Sequence, residues 1–333
     1  MTIESESILL VQTAFLGDIV LSTPLIQALR DRYPNCKLTV ITTKGGKDLL
    51  INDPRIDEII VFDKRSNDSG LKGFFRFVQK IKSKNFTIAY SLHKSARTSL
   101  LLFLAGIKTT IGFKSSTLSF LYSVKRNRLV ESHDVERNLS LLDDVKDSEK
   151  ELKLYASQVE NTLSKFKLSN KSYIVIAPGS IWRTKRWSAN HFKTLVAQLS
   201  QIITVVVTGS PDEKKLCDYI CKDSSALNLA GSLTLRQTID VISGCKSVVC
   251  NDSLPLHLAS AFKRPVVALF CATSPSFGFG PWRTKFSILE SDSLSCKPCM
   301  RHGSNKCPTG TEACRRVILP QHVIQALKQL AVI

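Results

Sequence analysis

The stretch ILLV at residues 8–11, with FLGD at residues 15–18 and a helical pattern that continues to Arg30, decides the fold of this chain. A short aliphatic run, a turn through glycine and then a helix is the pattern that begins a parallel α/β unit. Further strand and helix patterns follow at residues 37–42, 59–62, 74–82 and 87–91. Strands that alternate with helices predict a parallel sheet covered on both faces.

The same alternation restarts in the second half of the chain, at YIVIA, residues 173–177. It continues with strand patterns at residues 202–208, 247–250 and 266–270, and with helical patterns at residues 189–200, 212–221, 235–243 and 255–262. Between the halves the sequence is polar and has no clear period, so we place the domain boundary near residue 165. The sequence therefore predicts two doubly wound, Rossmann-like domains, residues 1–165 and 166–333, that face a central cleft.

The length and composition exclude several classes of protein. The chain has 333 residues, of which 43% are hydrophobic and 22% charged, as in ordinary globular proteins. No apolar run approaches the roughly 18 residues that would cross a bilayer, and the first residues are acidic where a secretory signal would be basic. We therefore expect a cytoplasmic protein whose ten cysteines are mostly reduced.

The charge of the chain is unevenly distributed. The formal net charge is +18, and the segment from Lys64 to Arg128 holds fourteen Lys and Arg residues against one acid, Asp68, which gives this basic segment a net charge of +13. A solvated basic face, an anionic membrane surface, an acidic substrate and nucleic acid all fit such a segment. Charge alone leaves these alternatives open.

Polar motifs follow the predicted strands at the ends where each strand stops. They are Asp18, APGS at 177–180 with TKRW at 184–187, TGSPDE at 208–213, NDS at 251–253 with His257, and Thr273. A hydroxyl, a lysine and the amides of a tight loop suit a diphosphate, and an acid suits a ribose diol. Each motif alone is equally typical of a helix cap or a surface loop. The chain has no GxxxxGK[ST], GxGxxG, HExxH or GxSxG motif, which disfavours ordinary NTPases, dehydrogenases and hydrolases.

The order of these motifs, beginning with LGDIVLSTPL at residues 16–25, resembles glycosyltransferase family 9, the bacterial ADP-heptose:lipopolysaccharide heptosyltransferases. The resemblance covers nearly the whole chain, because Ser95-Ala96, Ala105-Gly106 and residues 133–137 also match the family's signatures. It implies a GT-B fold that binds the acceptor in the first domain and the nucleotide sugar in the second. It also implies inverting transfer of heptose from ADP-heptose to the Kdo/heptose inner core on lipid A, at the cytoplasmic face of the inner membrane.

The resemblance assigns a role to individual residues. Asp18 matches the general base, and the donor-binding positions are Ser180, Lys185, Glu213, Asp252, Ser253, His257 and Thr273. We assign Gly17, Lys94 and Arg97 to the acceptor. The chain departs from the family's pattern at Leu254-Pro255, where glycine is common, and at Cys271-Ala272 in place of Gly-Pro. These departures leave another nucleotide sugar as an alternative donor.

A run of cysteines near the end of the chain has the spacing of a metal site. Four thiolates at such intervals can close a tetrahedral zinc site, and heptosyltransferase II-like members of the family carry a similar run. A redox-labile thiol cluster and plain reduced cysteines are the alternatives. The four residues are Cys296, Cys299, Cys307 and Cys314.

For the reaction itself the family implies no required cofactor, and stimulation by a divalent cation such as Mg²⁺ is left open. The expected partners are ADP-heptose, the lipid A-linked acceptor and the anionic inner-membrane surface, with no nucleic acid. The rival interpretation is a non-catalytic relative that binds an anionic surface. Retention of Asp18, Lys185 and Asp252 in one chain argues against it.

Overall fold

The computed structural model describes residues 6–64, 66–291 and 293–333. Two of the features discussed above fall partly outside this range: Arg65 of the basic segment, and residues 1–5 of the acidic amino terminus. Two compact units make up the chain, Met1–Tyr155 and Ala156–Ile333.

The first unit contains a six-stranded sheet in which every neighbouring pair is parallel. Its strands are β1 (Ser7–Val11), β2 (Lys37–Thr42), β3 (Glu58–Val61), β4 (Ile88–Ser91), β5 (Thr109–Phe113) and β6 (Val124–Arg126), in the order β3-β2-β1-β4-β5-β6. Its helices are α1 (Leu16–Leu21), α2 (Thr23–Arg32), α3 (Lys44–Leu50), α4 (Gly70–Lys82), α5 (Ala96–Leu104) and α6 (Asp134–Leu139). Short 3-10 turns lie at Ser119–Leu121 and Asp147–Lys150.

An apolar cluster joins one face of the first sheet to α4 and α5. Leu9 of β1 and Phe62, which directly follows β3, pack with Phe77 of α4 and Leu101 of α5. The rings of Phe62 and Phe77 are stacked with centroids 4.3 Å apart. Buried positions recur along α4 with the helical period. One side of the helix therefore packs on the sheet, and the opposite side faces solvent.

The second unit repeats this architecture. Its strands are β7 (Tyr173–Ala177), β8 (Thr204–Val207), β9 (Leu227–Asn228), β10 (Ser247–Asn251), β11 (Val266–Phe270) and β12 (Phe286–Glu290), all parallel and in the order β12-β11-β10-β7-β8-β9. Its helices are α7 (Val159–Lys165), α8 (Ala189–Leu199), α9 (Lys214–Cys221), α10 (Leu235–Gly244), α11 (Leu254–Ala261) and α12 (Pro320–Gln329). Short 3-10 turns lie at Arg183–Lys185, Pro211–Glu213, Pro275–Phe277 and Ala313–Arg315.

The two units confirm the predicted α/β class with doubly wound parallel sheets. The units divide after Tyr155, whereas the sequence placed the boundary near residue 165. The reason is that α7 packs on α10 of the second unit: the Thr162 hydroxyl donates to the Asp240 carboxylate at 2.8 Å, and the Ser157 amide donates to it at 3.3 Å.

Two further expectations concern the membrane and the thiols. Within the described residues, no helix combines the length and the hydropathy that a membrane span requires. All ten cysteines are free thiols.

Candidate active site

In both sheets the strand order reverses at one point, and the chain there carries the polar motifs. The reversal lies between β1 and β4 in the first unit and between β7 and β10 in the second. Ligands of doubly wound sheets bind beyond the carboxyl ends of the strands at this position, because the loops there diverge and leave a crevice. Asp18 follows β1, Ser180 follows β7 and Asp252 follows β10.

Asp18 is held at the start of α1. Its carboxylate accepts a hydrogen bond from the Phe15 amide at 3.2 Å, which caps the helix, and Gly17 precedes it in the same turn. The other end of α1 is tied down by three side chains that donate to its carbonyls, Ser22 to Ile19 at 2.7 Å, Thr23 to Val20 at 2.8 Å and Asn138 to Leu21 at 3.2 Å. Both ends of this short helix are therefore fixed, and the half-buried Asp18 carboxylate is positioned with them.

A cluster of half-buried basic side chains lies at the same edge of the first sheet. The Lys64 ammonium donates to the Thr13 hydroxyl at 2.8 Å. The Arg97 guanidinium lies over the rings of Phe62 and Phe74, 5.0 and 5.2 Å from their centroids. Burial, with the nearby charge of Arg97, lowers the pKa of Lys64 to about 8. Because its hydrogen-bond partner Thr13 is neutral, an anionic ligand here would be favoured.

His93 adjoins this cluster at the end of β4. Its Nδ1 atom lies 3.0 Å from the Ser95 hydroxyl and 3.1 Å from the Thr98 hydroxyl. Burial and the charge of Lys64 lower the pKa of His93 to about 4, so the imidazole is neutral at pH 7. Sequence analysis missed both Lys64 and His93. It assigned Arg97, which belongs to the cluster, and Lys94, whose side chain is exposed.

A pocket of about 650 Å³ opens in the first unit beside the ends of β2 and β3. Lys44, Arg76 and Lys80 line it together with Asp63 and Asp68. Three cations against two carboxylates give the pocket a positive balance. The basic segment therefore contributes to a concave site as well as to a solvated face.

In the second unit Lys185, Asp252 and Thr273 form one hydrogen-bonded group. The Lys185 ammonium lies 2.7 Å from Oδ2 of Asp252, and the Thr273 hydroxyl donates to the same oxygen at 2.8 Å. The side chains of Lys185 and Asp252 are only 15% and 8% exposed. Three motifs far apart in the sequence thus meet beyond the ends of β7, β10 and β11, as their common position predicted.

Glu213 and Ser180 lie around the same loop. Oε2 of Glu213 accepts the Ser210 amide at 2.9 Å, and its Oε1 is 4.0 Å from the Arg186 guanidinium. A Cβ atom on Gly179 would lie 2.0 Å from Oε1 of Glu213, so a larger residue there would displace the Glu213 carboxylate. Ser180 is buried, and its carbonyl accepts from Arg186 Nε at 2.8 Å.

Asn251, which sequence analysis did not assign, connects these loops. Its Oδ1 accepts the Trp187 amide at 2.9 Å, and its Nδ2 donates to the carbonyls of Pro178 at 2.8 Å and Gly179 at 3.2 Å. The signal was present in the sequence, since an amide directly before Asp252 at the end of a buried strand must find partners. Asn251 is a positioning residue for the Lys185 loop.

Ser253 and His257 occupy the helix that follows this group. Ser253 is the N-cap of α11, and its hydroxyl donates to the Asn251 carbonyl at 3.2 Å. His257 lies one turn further along and is buried. The two residues lie on the segment predicted from the sequence, with His257 inside the unit.

The cysteine loop, residues 293–316, packs against the same region. The Ser304 amide donates to the Thr184 hydroxyl at 2.8 Å, the Cys299 amide to the Ala272 carbonyl at 2.9 Å, and Arg315 Nε to the Arg186 carbonyl at 2.7 Å. The loop therefore supports the segments on either side of Lys185 and Thr273.

The thiols of this loop do not form the predicted zinc site. Within the described residues, no group of three or more His, Cys, Asp or Glu side chains is arranged to hold a metal ion. Cys314 is buried in the apolar core of the second unit, and burial followed by the charges of the other three cysteines raises its pKa to about 11. Cys307 instead lines a surface pocket and lies 3.4 Å from the Thr309 hydroxyl. The four thiols are nevertheless near enough to act on one another, since burial, followed by the charges of Cys296 and Cys307 and a Cys296 side-chain hydrogen bond, raises the pKa of Cys299.

Two Rossmann-like units with polar groups at both switch points define an enzyme of the GT-B glycosyltransferase class. The chain matches the model of glycosyltransferase family 9 (heptosyltransferase) over residues 74–308, and it belongs to that family. It is 27% identical to lipooligosaccharide heptosyltransferase 2 of Haemophilus influenzae over 294 residues, which cover 81% of this chain and 85% of that protein.

Solved structures agree with this membership. The structure of E. coli ADP-heptose LPS heptosyltransferase II superposes with a TM-score of 0.81 at 25% identity, covering 97% of this chain and 98% of the other. A family 9 glycosyl transferase from Veillonella parvula DSM 2008 has a TM-score of 0.85 at 22% identity, covering 99% and 98%. The second likeness concerns the fold alone.

The Lys185–Asp252 pair allows a stability test. We expect Asp252→Asn to lower the free energy of unfolding of the second unit by about 1–3 kcal/mol, because it leaves a largely buried ammonium without its counter-charge. Urea denaturation followed by tryptophan fluorescence measures this unit, since Trp182, Trp187 and Trp282 all lie in it. The control is Asp223→Asn, which removes an exposed partner of Lys193 and should change nothing measurable. Equal effects of the two substitutions would contradict the interpretation.

Proposed function

We propose that this enzyme transfers heptose from ADP-heptose to the Kdo/heptose inner core of lipopolysaccharide, with inversion at the anomeric carbon. The observation that carries the proposal is the Lys185–Asp252–Thr273 group at the second switch point, in a chain whose first switch point presents Asp18. Family membership and the names of the relatives support the sugar and the acceptor.

The second unit is suited to the donor. Lys185 would contact the diphosphate, and the hydrogen bond to Asp252 orients its ammonium before the ligand arrives. Glu213 would accept the hydroxyls of the ribose, and Ser180, Ser253 and the start of α11 complete the surface around the phosphates. His257 and Thr273 would support this surface from inside the unit.

The first unit is suited to an anionic acceptor. Lys64 and Arg97 are half-buried cations at the edge where Asp18 lies, and carboxylates and phosphates of the inner core would give them the counter-charge that Thr13 does not supply. Gly17 would let the acceptor approach the backbone beside Asp18, and Lys94 would contribute from the rim. We further propose that the enzyme works in the cytoplasm at the face of the inner membrane.

The reaction needs one base and one stabilised leaving group. The Asp18 carboxylate takes the proton of the acceptor hydroxyl while that oxygen bonds to the anomeric carbon on the face opposite the diphosphate. The bond from the anomeric carbon to the diphosphate breaks with its electron pair, and Lys185 stabilises the charge that develops on ADP. One carboxylate suffices because ADP leaves without needing a proton.

A second candidate function is transfer from another nucleotide sugar. The observation in its favour is that α11 begins with Leu254 and Pro255 in its first turn. Proline has no amide hydrogen, so this helix start offers one donor fewer to a phosphate or a sugar.

Product analysis separates the two candidates. We expect mass spectrometry of a lipid A core acceptor, incubated with a panel of ADP- and UDP-sugars, to detect the addition of one heptose from ADP-heptose. Addition of a different sugar would favour the second candidate. Absence of any product, with thermal stabilisation by anionic polymers alone, would favour a non-catalytic binding protein.

The role of Asp18 is tested by Asp18→Asn. We expect kcat to fall by about 10²–10⁴-fold, because the amide cannot accept the acceptor's proton, while the affinity for ADP measured by titration calorimetry stays unchanged. The control is Asp31→Asn, an exposed carboxylate of the same unit that accepts a hydrogen bond from Gln27. Near-normal turnover of the Asp18 variant would eliminate the assignment.

The lowered pKa of Lys64 predicts a pH dependence. As the pH rises through about 8, Lys64 loses its charge, so kcat/KM for the acceptor should fall with an inflection near that value. Lys64→Arg should remove the inflection, since a guanidinium stays charged. The control Lys82→Arg changes an exposed lysine of α4 and should retain it. An unchanged profile in the Lys64 variant would exclude Lys64 from acceptor binding.

A further inference from the structure

Helix α4 turns two large apolar side chains to solvent. Its inner side is buried against the sheet through Phe74, Phe77 and Ile81. On the outer side Leu71 is 77% exposed and Phe75 is 51% exposed. They are four residues apart, so they lie next to each other on one stripe of the helix.

The exposed apolar surface continues on the neighbouring elements. Helix α5 packs beside α4 and leaves Phe103 56% exposed, and the 3-10 turn Ser119–Leu121, which packs on α5, leaves Phe120 70% exposed. We call Leu71, Phe75, Phe103 and Phe120 the apolar face. Exposed aromatic and aliphatic groups on adjacent elements mark an interaction surface more often than scattered single residues do.

The charged side chains on α4 and on the segment after α5 are all positive. Lys72, Arg76, Lys80 and Lys82 are exposed on α4 itself, and Lys108 follows α5. The sequence has no acidic residue from Ser69 to Val130. Apolar side chains flanked by lysine and arginine, without acids, are the composition of helices that lie in the interface of an anionic bilayer. Nucleic acid would use the cations and leave the apolar face uncovered.

We propose that the apolar face docks the first unit onto an anionic lipid bilayer. Leu71 and Phe75 enter the boundary between headgroups and acyl chains, and Lys72 and Lys82 remain at the level of the lipid phosphates. The same helix contributes Arg76 and Lys80 to the 650 Å³ pocket, so docking brings that pocket close to the lipid surface. The inference deepens the proposed function, because an acceptor built on lipid A reaches the enzyme from a membrane.

Vesicle flotation of the full chain, without nucleotide sugar, tests the surface. We expect binding to phosphatidylcholine vesicles that contain about 30 mol% phosphatidylglycerol and little binding to phosphatidylcholine alone. The double variant Leu71→Ser/Phe75→Ser should reduce partitioning into the anionic vesicles by about tenfold or more. The matched control Ile51→Ser/Ile202→Ser removes two apolar side chains of similar exposure elsewhere and should leave partitioning unchanged.

Two outcomes would overturn the proposal. One is equal partitioning of the wild type and the Leu71/Phe75 variant. The other is a change in sedimentation coefficient of that variant with no change in vesicle binding, which would assign the face to a second copy of the chain. Activity on a short water-soluble acceptor separates the test of docking from the test of the reaction. The Leu71/Phe75 variant should equal the wild type in this assay. Vesicle binding without any heptose transfer would contradict the proposed reaction but would still support the docking surface.

Discussion

The ion pair between Lys185 and Asp252 is the interaction on which the second unit's site depends. A largely buried ammonium is costly unless a counter-charge and hydrogen bonds accompany it, and Asp252 receives both Lys185 and the Thr273 hydroxyl on one oxygen. That requirement holds together the loops that follow β7, β10 and β11. Asn251 and the cysteine loop then hold the backbone on either side of Lys185. The group is therefore set before any ligand binds, which is the condition under which fixed charges stabilise a leaving group well.

The partly buried lysines of the two units have different kinds of partner. In the second, the lysine has its own carboxylate, so the site is satisfied in the absence of ligand. In the first, the Lys64 ammonium donates to the neutral Thr13 hydroxyl and lies over the Phe62 ring, and burial with the charge of Arg97 lowers its pKa. An anionic ligand stabilises a buried cation with a neutral partner more strongly than one that already has a carboxylate partner. Under the proposed function, the donor site of the second unit is set before binding, and the acceptor itself completes the site of the first unit.

The sequence predicted the centre of each sheet and the edge strand β3, and it missed the other strands toward the edges. Central strands such as β1 and β7 are buried on both faces and read as unbroken aliphatic runs, which composition reveals. The missed strands β5, β6, β9 and β12 lie toward the sheet edges, where strands are short or carry polar residues and glycine, as in TTIGF of β5. These strands are defined by their pairing with a neighbouring strand, which a local sequence pattern does not show. The units divide after Tyr155 rather than near residue 165 because α7 packs in the second unit, where Thr162 contacts Asp240.

The site residues show a similar limit. Position at the end of a strand is visible in a sequence, so the Lys185 group was predicted, although its hydrogen bonds were not. A sequence does not show which side chains are buried. Lys64 was therefore counted as one of fourteen basic residues, and Cys314 was predicted as one metal ligand of four. Folding buries Cys314 in the apolar core and leaves Cys307 at a surface pocket, so the four thiols differ in burial although their charges still act on one another. The spacing of residues limits which side chains of one segment can come together. The packing of the core then determines which of them are buried and which are exposed. A motif is therefore convincing when, as for Asp252, its partners come from other strands.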